Sequence, residues 1–395
     1  MFYENQPECN RNDYKKMLTI MGNLTRLFSD SQSPYLAYRA HENIFCKYMS
    51  AENLARQDCS ADAQKGRIGL GLKTWVGNND QKVAEFGKLR ETFSDLSGLD
   101  LVKKIAEYRN SRIKVTKNMH DIDTLIYHIV KRIPGSMQIF EYAFDEIDIE
   151  HLQVIKNRGN NNNTYFTDGK HTYHFSKSKN TLYMLFEGMT PLDSFEVQIM
   201  DDPYSFLMRL MDNNTDAESV ATVKEMIQYT ESVSLPRICL RLYTFTKKHG
   251  KTVAEQSGLN QWNGYRKNSK TGAKKKRNIN ELYIPYPAPD RRRNEGFFPE
   301  RGKKFQLTLP NGVTIPAKVC QDDGKAIMSN PNNLLGKWLL RDVFELPENT
   351  IVTYEMLEQF GIDSVIFTKH SDTEYSVAFS EIGTYEEFYG LNDTQ

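Results

Sequence analysis

Residues 58–85, DCSADAQKGRIGLGLKTWVGNNDQKVAE, place carboxylates on either side of an apolar run that glycines interrupt. The segments SADA and IGLGLKTW indicate two short strands, and the polar segment QKGR between them indicates a turn. Gly69 and Gly71 weaken a strand, but they allow another part of the chain to approach closely. The stretch therefore predicts a β-hairpin, with Asp62 at the foot of the first strand and Lys73 near the end of the second.

Helices are predicted on both sides of this hairpin. Residues 35–54 repeat apolar side chains at a spacing that puts them on one face of a helix. Residues 80–96 and 99–119 also indicate helices, and Glu85 belongs to the first of these two.

Short β segments are predicted further along. Residues 124–144 indicate a helix or strand that runs into a buried strand after the Pro134–Gly135 turn. Residues 158–186 alternate around an Asn tract and an Asp-Gly turn, which is typical of a meander of hairpins. The N-terminal part is therefore predicted to be a mixed α/β domain.

Two carboxylates and a lysine are the smallest useful set of groups for phosphodiester hydrolysis. A divalent ion such as Mg²⁺ is held by a few carboxylates, and a nearby lysine can orient water and stabilise charge on the phosphate. Asp62 and Lys73 provide one acid and the lysine. For the second acid, Glu85 would reach back from the following helix, or Glu42 would come from the preceding one. Asp58 is an alternative to Asp62.

The order of these groups resembles the core of PD-(D/E)XK nucleases, in the part of the chain from Glu42 to Arg90. The resemblance implies a mixed sheet with helices and Mg²⁺-dependent DNA cleavage, with Asp62 and Glu85 as metal ligands. The second acid would have moved to the following helix, as in some restriction endonucleases. Two features depart from the pattern, because no proline precedes Asp62 and Gly71 stands where the usual acid would be.

Charge is segregated along a chain whose formal net charge is zero. From Lys247 to Lys304 there are 16 Lys/Arg and 5 Asp/Glu, a net charge of +11. From Arg341 to Gln395 there are 2 Lys/Arg and 12 Asp/Glu, a net charge of −10. A concentrated basic block beside an acidic remainder indicates a polyanionic partner such as nucleic acid.

The C-terminal part, residues 235–385, contains short β segments separated by Pro, Gly and Asn turns, a pattern typical of a barrel or sandwich. Long ordered blocks, among them SGLNQWN, NELYIPYP and FFPERGKKFQLTLPNG, resemble the C-terminal DNA-binding domain of NgoFVII-type restriction endonucleases. The resemblance implies a mostly β, B3-like pseudobarrel, as in plant transcription factors, with two recognition arms in the major groove of double-stranded DNA.

Side chains that can bond base edges are concentrated in two turns of this region. Asn and Gln can bond adenine edges, whereas Arg and Lys can bond guanine edges and phosphates. The candidates are Asn260, Gln261, Trp262, Asn263 and Arg266 in the first turn, and Gln321, Lys325, Asn330 and Asn332 in the second. Each could instead serve the turn itself. The basic run AKKKR, residues 273–277, would neutralise phosphates without reading sequence.

Several other classes are disfavoured by missing motifs. The phospholipase-D-like domain that NgoFVII-type enzymes often carry needs an HxK motif, and the one HxK in the sequence, His249–Lys251, lies in the C-terminal part rather than in the N-terminal part, which argues against that domain. The five cysteines are scattered without CxxC pairs, as expected in a reducing cytoplasm. No apolar run is long enough to cross a membrane, and a secretory signal is not expected.

The sequence thus predicts a type II restriction endonuclease, with a catalytic α/β domain over residues 1–230 and a recognition domain over residues 231–395. Cleavage of both strands suggests a homodimer or sequential nicking, and a cognate methyltransferase would protect host DNA. A non-catalytic DNA-binding regulator and a methylation-dependent nuclease are the alternatives.

Overall fold

The computed structural model describes residues 1–54, 59–160, 162–213, 235–246, 248–267 and 273–391. The α-helices in these ranges are α1 Glu8–Asn23, α2 Tyr38–Met49, α3 Gly98–Met119, α4 Pro203–Asn213, α5 Ala288–Arg293, α6 Leu334–Gly336, α7 Tyr354–Phe360 and α8 Thr384–Tyr389. Short 3-10 helices span Thr25–Leu27, Gly87–Thr92, Ile149–His151, Gly258–Asn263 and Asp322–Gly324, and a π-helix spans Lys337–Val343. None of the described helices is both long and apolar enough to span a bilayer.

The N-terminal strands are β1 Glu52–Asn53, β2 Ala63–Lys65, β3 Ile68–Val76, β4 Asp80–Glu85, β5 Thr124–Ile133, β6 Ser136–Ala143, β7 Gln153–Asn160, β8 Asn163–Thr167, β9 Thr172–Ser176, β10 Thr181–Leu185 and β11 Asp193–Glu196. The C-terminal strands are β12 Arg237–Arg241, β13 Thr244–Thr246, β14 Gly250–Thr252, β15 Tyr265–Lys267, β16 Lys274–Lys276, β17 Ile284–Pro285, β18 Lys304–Thr308, β19 Thr314–Cys320, β20 Ala326–Ser329, β21 Ile362–Lys369 and β22 Glu374–Glu381.

The predicted hairpin is confirmed and lies inside a mixed sheet. Among the described residues this sheet has the order β1-β2-β3-β5-β6-β11. The strands β2 and β3 are antiparallel, and Ala63 lies opposite Leu70. The strand β5 runs parallel to β3, because the long helix α3 carries the chain back across the sheet between them. The predicted helix over residues 99–119 is confirmed as α3.

The two faces of this sheet bury different side chains, as the alternation of a strand requires. Leu70 and Leu72 pack with helices α1 and α2 on one face. Trp75 and Tyr127 pack on the other face with α3 and with the inner side of a second sheet. The hairpin is therefore held between two hydrophobic layers, which limits the positions that its polar side chains can take.

The second sheet contains the predicted meander, and it also corrects one prediction. Its order among the described residues is β4-β10-β9-β8-β7. Residues 80–85 form strand β4, although a helix was predicted over residues 80–96. The reason is tertiary, because the edge of β10 offers backbone partners to β4 that no local pattern reveals.

The C-terminal part is mostly β, as predicted. Its main sheet has the order β12-β21-β22-β18-β19-β20-β17 among the described residues. All pairs are antiparallel except β18 with β22. The end strands β12 and β17 contact each other, so the sheet is a nearly closed barrel. This architecture is compatible with a B3-like domain.

Helix α3 joins the two parts. Its residues Val115 and Met119 belong to the hydrophobic core of the C-terminal barrel. In the opposite direction, Ile382 belongs to the core around α3 and the N-terminal sheets. The predicted domain boundary at residue 230 lies outside the described residues. The shared helix brings barrel residues next to the side of the sheet that carries Lys73.

Candidate active site

Asp62 and Lys73 lie together on the hairpin. The backbone of Asp62 donates to the carbonyl of Leu70 at 2.8 Å, and its Oδ2 accepts a hydrogen bond from the Leu72 backbone at 2.7 Å. Burial raises the pKa of Asp62, and the charge of Lys73 opposes this rise. Burial lowers the pKa of Lys73, and the Asp62 carboxylate opposes this fall. Each charge therefore stabilises the other at a place with little solvent.

Glu42 joins this pair from helix α2. Its side chain is buried, and burial is the main reason why the pKa of Glu42 is raised. The Asp62 carboxylate raises it further, while Arg39, whose Nη1 lies 3.0 Å from Oε2, and Lys73 lower it. The helix and the hairpin thus assemble two carboxylates and one lysine, which is the set that the sequence analysis sought.

Glu85 occupies a different position from the one predicted. It ends strand β4 rather than lying on a helix, and its side chain is 55% exposed and paired with Lys82. It lines the same cavity as Asp62 and Lys73. The alternative acid Asp58 lies outside the described residues. Within those residues, no group of three or more His, Cys, Asp or Glu side chains is placed to hold a metal ion.

The cavity beside the hairpin has a volume of about 540 Å³ and lies between the two parts of the chain. The N-terminal side of its wall includes Asp62, Lys73 and Arg109. The barrel contributes Phe379 and Glu381 to the opposite side. Any substrate that reaches Asp62 through this cavity therefore passes side chains from both parts.

Arg109 was not among the predicted site residues. It is only 3% exposed, and it donates to the Asp145 carbonyl at 2.6 Å and to the Tyr127 hydroxyl at 3.3 Å. Its charge also lowers the pKa of Lys73. Nothing in the pattern of helix α3 separates this arginine from solvent-exposed ones, so only the tertiary structure reveals it.

The first predicted recognition turn requires a correction. Asn260, Gln261 and Trp262 are buried rather than exposed to a DNA groove. The Asn260 amide donates to the carbonyls of Val352 at 2.8 Å and Ala254 at 3.1 Å, and its oxygen accepts from the Val352 backbone at 2.8 Å. Trp262 belongs to the barrel core. The physical reason is that the Asn260 amide is hydrogen-bonded to the distant segment around Val352 and the Trp262 ring packs in the barrel core, so neither side chain is presented at the surface.

Other predicted recognition residues remain accessible. Arg266 is exposed on β15, which pairs with the exposed lysine strand β16. Lys325 is also exposed, whereas Gln321, Asn330 and Asn332 are partly exposed in the second turn. Asn263 is partly exposed and donates to the Glu255 carbonyl at 3.0 Å. The hairpin β15–β16 and the second turn are therefore the surfaces that present polar and basic groups.

Comparison with known families supports this part of the chain only. Residues 237–371 match the model of the NgoFVII C-terminal B3-like DNA-binding domain. The match supports DNA binding. The described part of the matched range includes the barrel strands β12 to β21, the hairpin β15–β16 and the second turn. A search of curated proteins found no match to the chain.

Proposed function

We propose that this chain is a type II restriction endonuclease that hydrolyses double-stranded DNA at a specific sequence. The observation that carries the proposal is the cluster of Glu42, Asp62 and Lys73 in an α/β part joined to a matched DNA-binding domain. The mixed sheet and the order of helix, acid, strand and lysine support a PD-(D/E)XK-like nuclease.

The donor set fits Mg²⁺. A buried carboxylate, Glu42, and a partly buried one, Asp62, repel each other and provide hard oxygen ligands, and a divalent cation needs only a few of these beside waters and substrate oxygens. Glu42 and Asp62 would hold the ion, and Glu85 stays the alternative second ligand. When bound, Mg²⁺ supplies polarisation of the scissile phosphate and lowers the pKa of a water.

The residues of the chain contribute orientation and charge. The Leu72 backbone holds the Asp62 carboxylate in one orientation through Oδ2. Burial lowers the pKa of Lys73 and the Asp62 carboxylate opposes this fall; the Lys73 amine would orient the attacking water and, as an ammonium, stabilise negative charge that develops on the phosphate. In-line attack would leave 5′-phosphate and 3′-hydroxyl ends.

Recognition would fall to the accessible groups of the barrel. Arg266 and the β16 lysines would contact the backbone or guanine edges, and Gln321, Lys325, Asn330 and Asn332 would read bases from the second turn. A homodimer would cut both strands together. We further propose a cytoplasmic location and a cognate methyltransferase that protects host DNA.

The catalytic assignment predicts that Asp62→Asn and Lys73→Gln abolish cleavage of phage DNA but retain DNA binding, because they remove charge without removing the barrel. Cleavage in Mg²⁺ is compared with an EDTA control, and binding is measured by gel shift. Asp123→Asn is the matched control, since Asp123 pairs with Arg67 on the surface near the start of β5. Full cutting by Asp62→Asn would remove the assignment.

The same assay separates the two candidate second acids. We expect Glu42→Gln to lose cleavage as Asp62→Asn does, whereas Glu85→Gln keeps most of it. The reverse result would assign the second acid to Glu85. A gel shift without cutting by the unaltered protein would identify a non-catalytic regulator, and cutting of methylated DNA alone would identify a methylation-dependent nuclease.

A further inference from the structure

Two ion pairs cross between the N-terminal part and the acidic C-terminal segment, residues 341–395. Lys88 Nζ lies 2.6 Å from Glu387 Oε1, and Lys114 Nζ lies 2.5 Å from Glu345 Oε2. The lysine side chains are 49% and 56% exposed, so both pairs are at the surface. The segment that supplies these carboxylates is the one with a net charge of −10.

Lys88 borders the cavity that contains Asp62 and Lys73, whereas Lys114 lies outside its lining. Lys88 lines the cavity together with its partner Glu387. Lys114 lies on α3 between Ile113 and Val115, which line the cavity, but its own side chain projects about 100° around the helix from each of them and does not line it. A DNA strand whose scissile phosphate reached Asp62 through the cavity would carry its neighbouring phosphates past Lys88 and Glu387.

The acidic segment therefore holds carboxylates where a DNA strand would bring phosphates. Glu381 adds a further negative charge on the cavity wall, where burial lowers the pKa of Arg112 and the Glu381 carboxylate opposes that fall. Such exposed pairs are weak, because solvent screens them and both side chains lose freedom. A polyanion with many closely spaced charges can replace them at little cost.

We infer that Lys88 at the cavity rim and Lys114 at the junction of the two parts bind the backbone of the DNA to be cut, and that Glu387 and Glu345 occupy these lysines until DNA displaces them. The inference rests on the proposed function, and it adds a second DNA-binding surface beside the barrel. The acidic segment then competes with the DNA substrate for Lys88 and Lys114.

Breaking the same two ion pairs from either side tests this inference. The full chain is titrated with a fluorescein-labelled random-sequence duplex in EDTA, and binding is followed by anisotropy at several salt concentrations. E345Q/E387Q removes the competitors and should tighten binding by about threefold per carboxylate, the size expected for exposed pairs. K88Q/K114Q removes the phosphate contacts, so it should weaken binding and lower the salt slope by about 0.9 per contact.

The two variants are expected to shift the affinity for DNA in opposite directions. This separates competition between the carboxylates and DNA from simple docking of the two parts. If the ion pairs only hold the two parts together, both variants lose the same contacts and their affinities shift in the same direction, which would overturn the inference. D123N/D372N is the matched control, because it removes two surface carboxylates that pair with Arg67 and Lys369. Equal binding by this control and E345Q/E387Q would also overturn it. Binding is measured without Mg²⁺ and therefore without cleavage. If the Asp62→Asn test contradicts the proposed nuclease activity, that result is distinguishable from the outcome of this binding test.

Discussion

At the scale of single residues, Gly71 explains why the candidate site lacks an acid at the position that the nuclease resemblance assigns. A Cβ at Gly71 would lie 2.9 Å from ring carbons of both Phe144 and Tyr127. These two rings are buried and stack with centroids 4.1 Å apart. The space above Gly71 is therefore filled, and the second carboxylate beside Asp62 is that of Glu42 from another element.

Gly71→Ala should lower the free energy of unfolding by about 1–3 kcal/mol, because two packed aromatic rings must move to admit one methyl group. Urea unfolding measures the change. Gly87→Ala is the control, since its Cβ would meet only Glu85 Oε1, at 3.9 Å. Equal stability of the two variants would contradict the packing argument, and Gly71→Glu should fail to restore a standard motif for the same reason.

At the scale of elements, the 3-10 helix Gly258–Asn263 shows how a polar segment can serve the interior. Its sequence, GLNQWN, is rich in groups that bond bases, yet Asn260 bonds to the segment around Val352, ninety-two positions away in the chain. Strand β4 makes a related point, because its pairing with β10 overrides a helical pattern. Both outcomes depend on partners that are distant in sequence.

Asn260→Ala should destabilise the barrel by about 2–3 kcal/mol, since it leaves the buried backbone groups of Val352 unpaired. Arg266→Gln should instead leave the melting temperature unchanged and weaken DNA binding, because Arg266 is exposed on β15. Thermal melts and gel shifts on both variants check the two outcomes. A stable Asn260→Ala protein that binds DNA poorly would restore Asn260 as a recognition residue.

At the scale of the whole molecule, helix α3 is a shared wall of two hydrophobic cores. Asn118 extends the junction by donating to the Val343 carbonyl at 3.1 Å. At the end of the helix, His120 is 2% exposed beside the barrel turn that contains Pro310. Burial lowers the pKa of His120 to about 4, against the opposing effects of the Pro310 carbonyl and Asp121.

Because His120 is buried in its neutral form, we expect acidic pH to destabilise the junction between the two parts. The folded-state pKa of about 4 lies below the unfolded value of about 6.5, so the unfolded chain binds the extra proton first. The stability that the neutral, buried His120 provides is therefore complete above pH 6.5 and is lost as the pH falls toward 4. Lowering the pH from 7 to 5 should therefore reduce the free energy of unfolding by about 2 kcal/mol through this histidine. The free energy of unfolding, measured with denaturant, should depend less on pH in His120→Asn than in the unaltered chain. In the control His249→Asn, which changes an exposed histidine, the pH dependence should equal that of the unaltered chain.

Much of this architecture was accessible from local patterns. The alternation and turn chemistry of residues 58–75 predicted the β2–β3 hairpin, and the helical periodicity of residues 99–119 predicted α3. The segregated charge and the turn-rich C-terminal part predicted a DNA-binding β domain, which the family match supports. These features are encoded by near neighbours in the chain, so a single sequence is enough to recognise them.

The sequence by itself determined most of the elements, among them the β2–β3 hairpin and α3, and which chemical groups are available: two acids, a lysine and a basic, amide-rich β domain. The tertiary structure decided which of those groups meet. It put Glu42 beside Asp62, filled the space over Gly71 with aromatic rings, and buried Asn260. The physical reason is that most secondary structure follows from local spacing, whereas proximity, burial and the pairing of strand β4 follow from the packing of elements that are far apart in the chain.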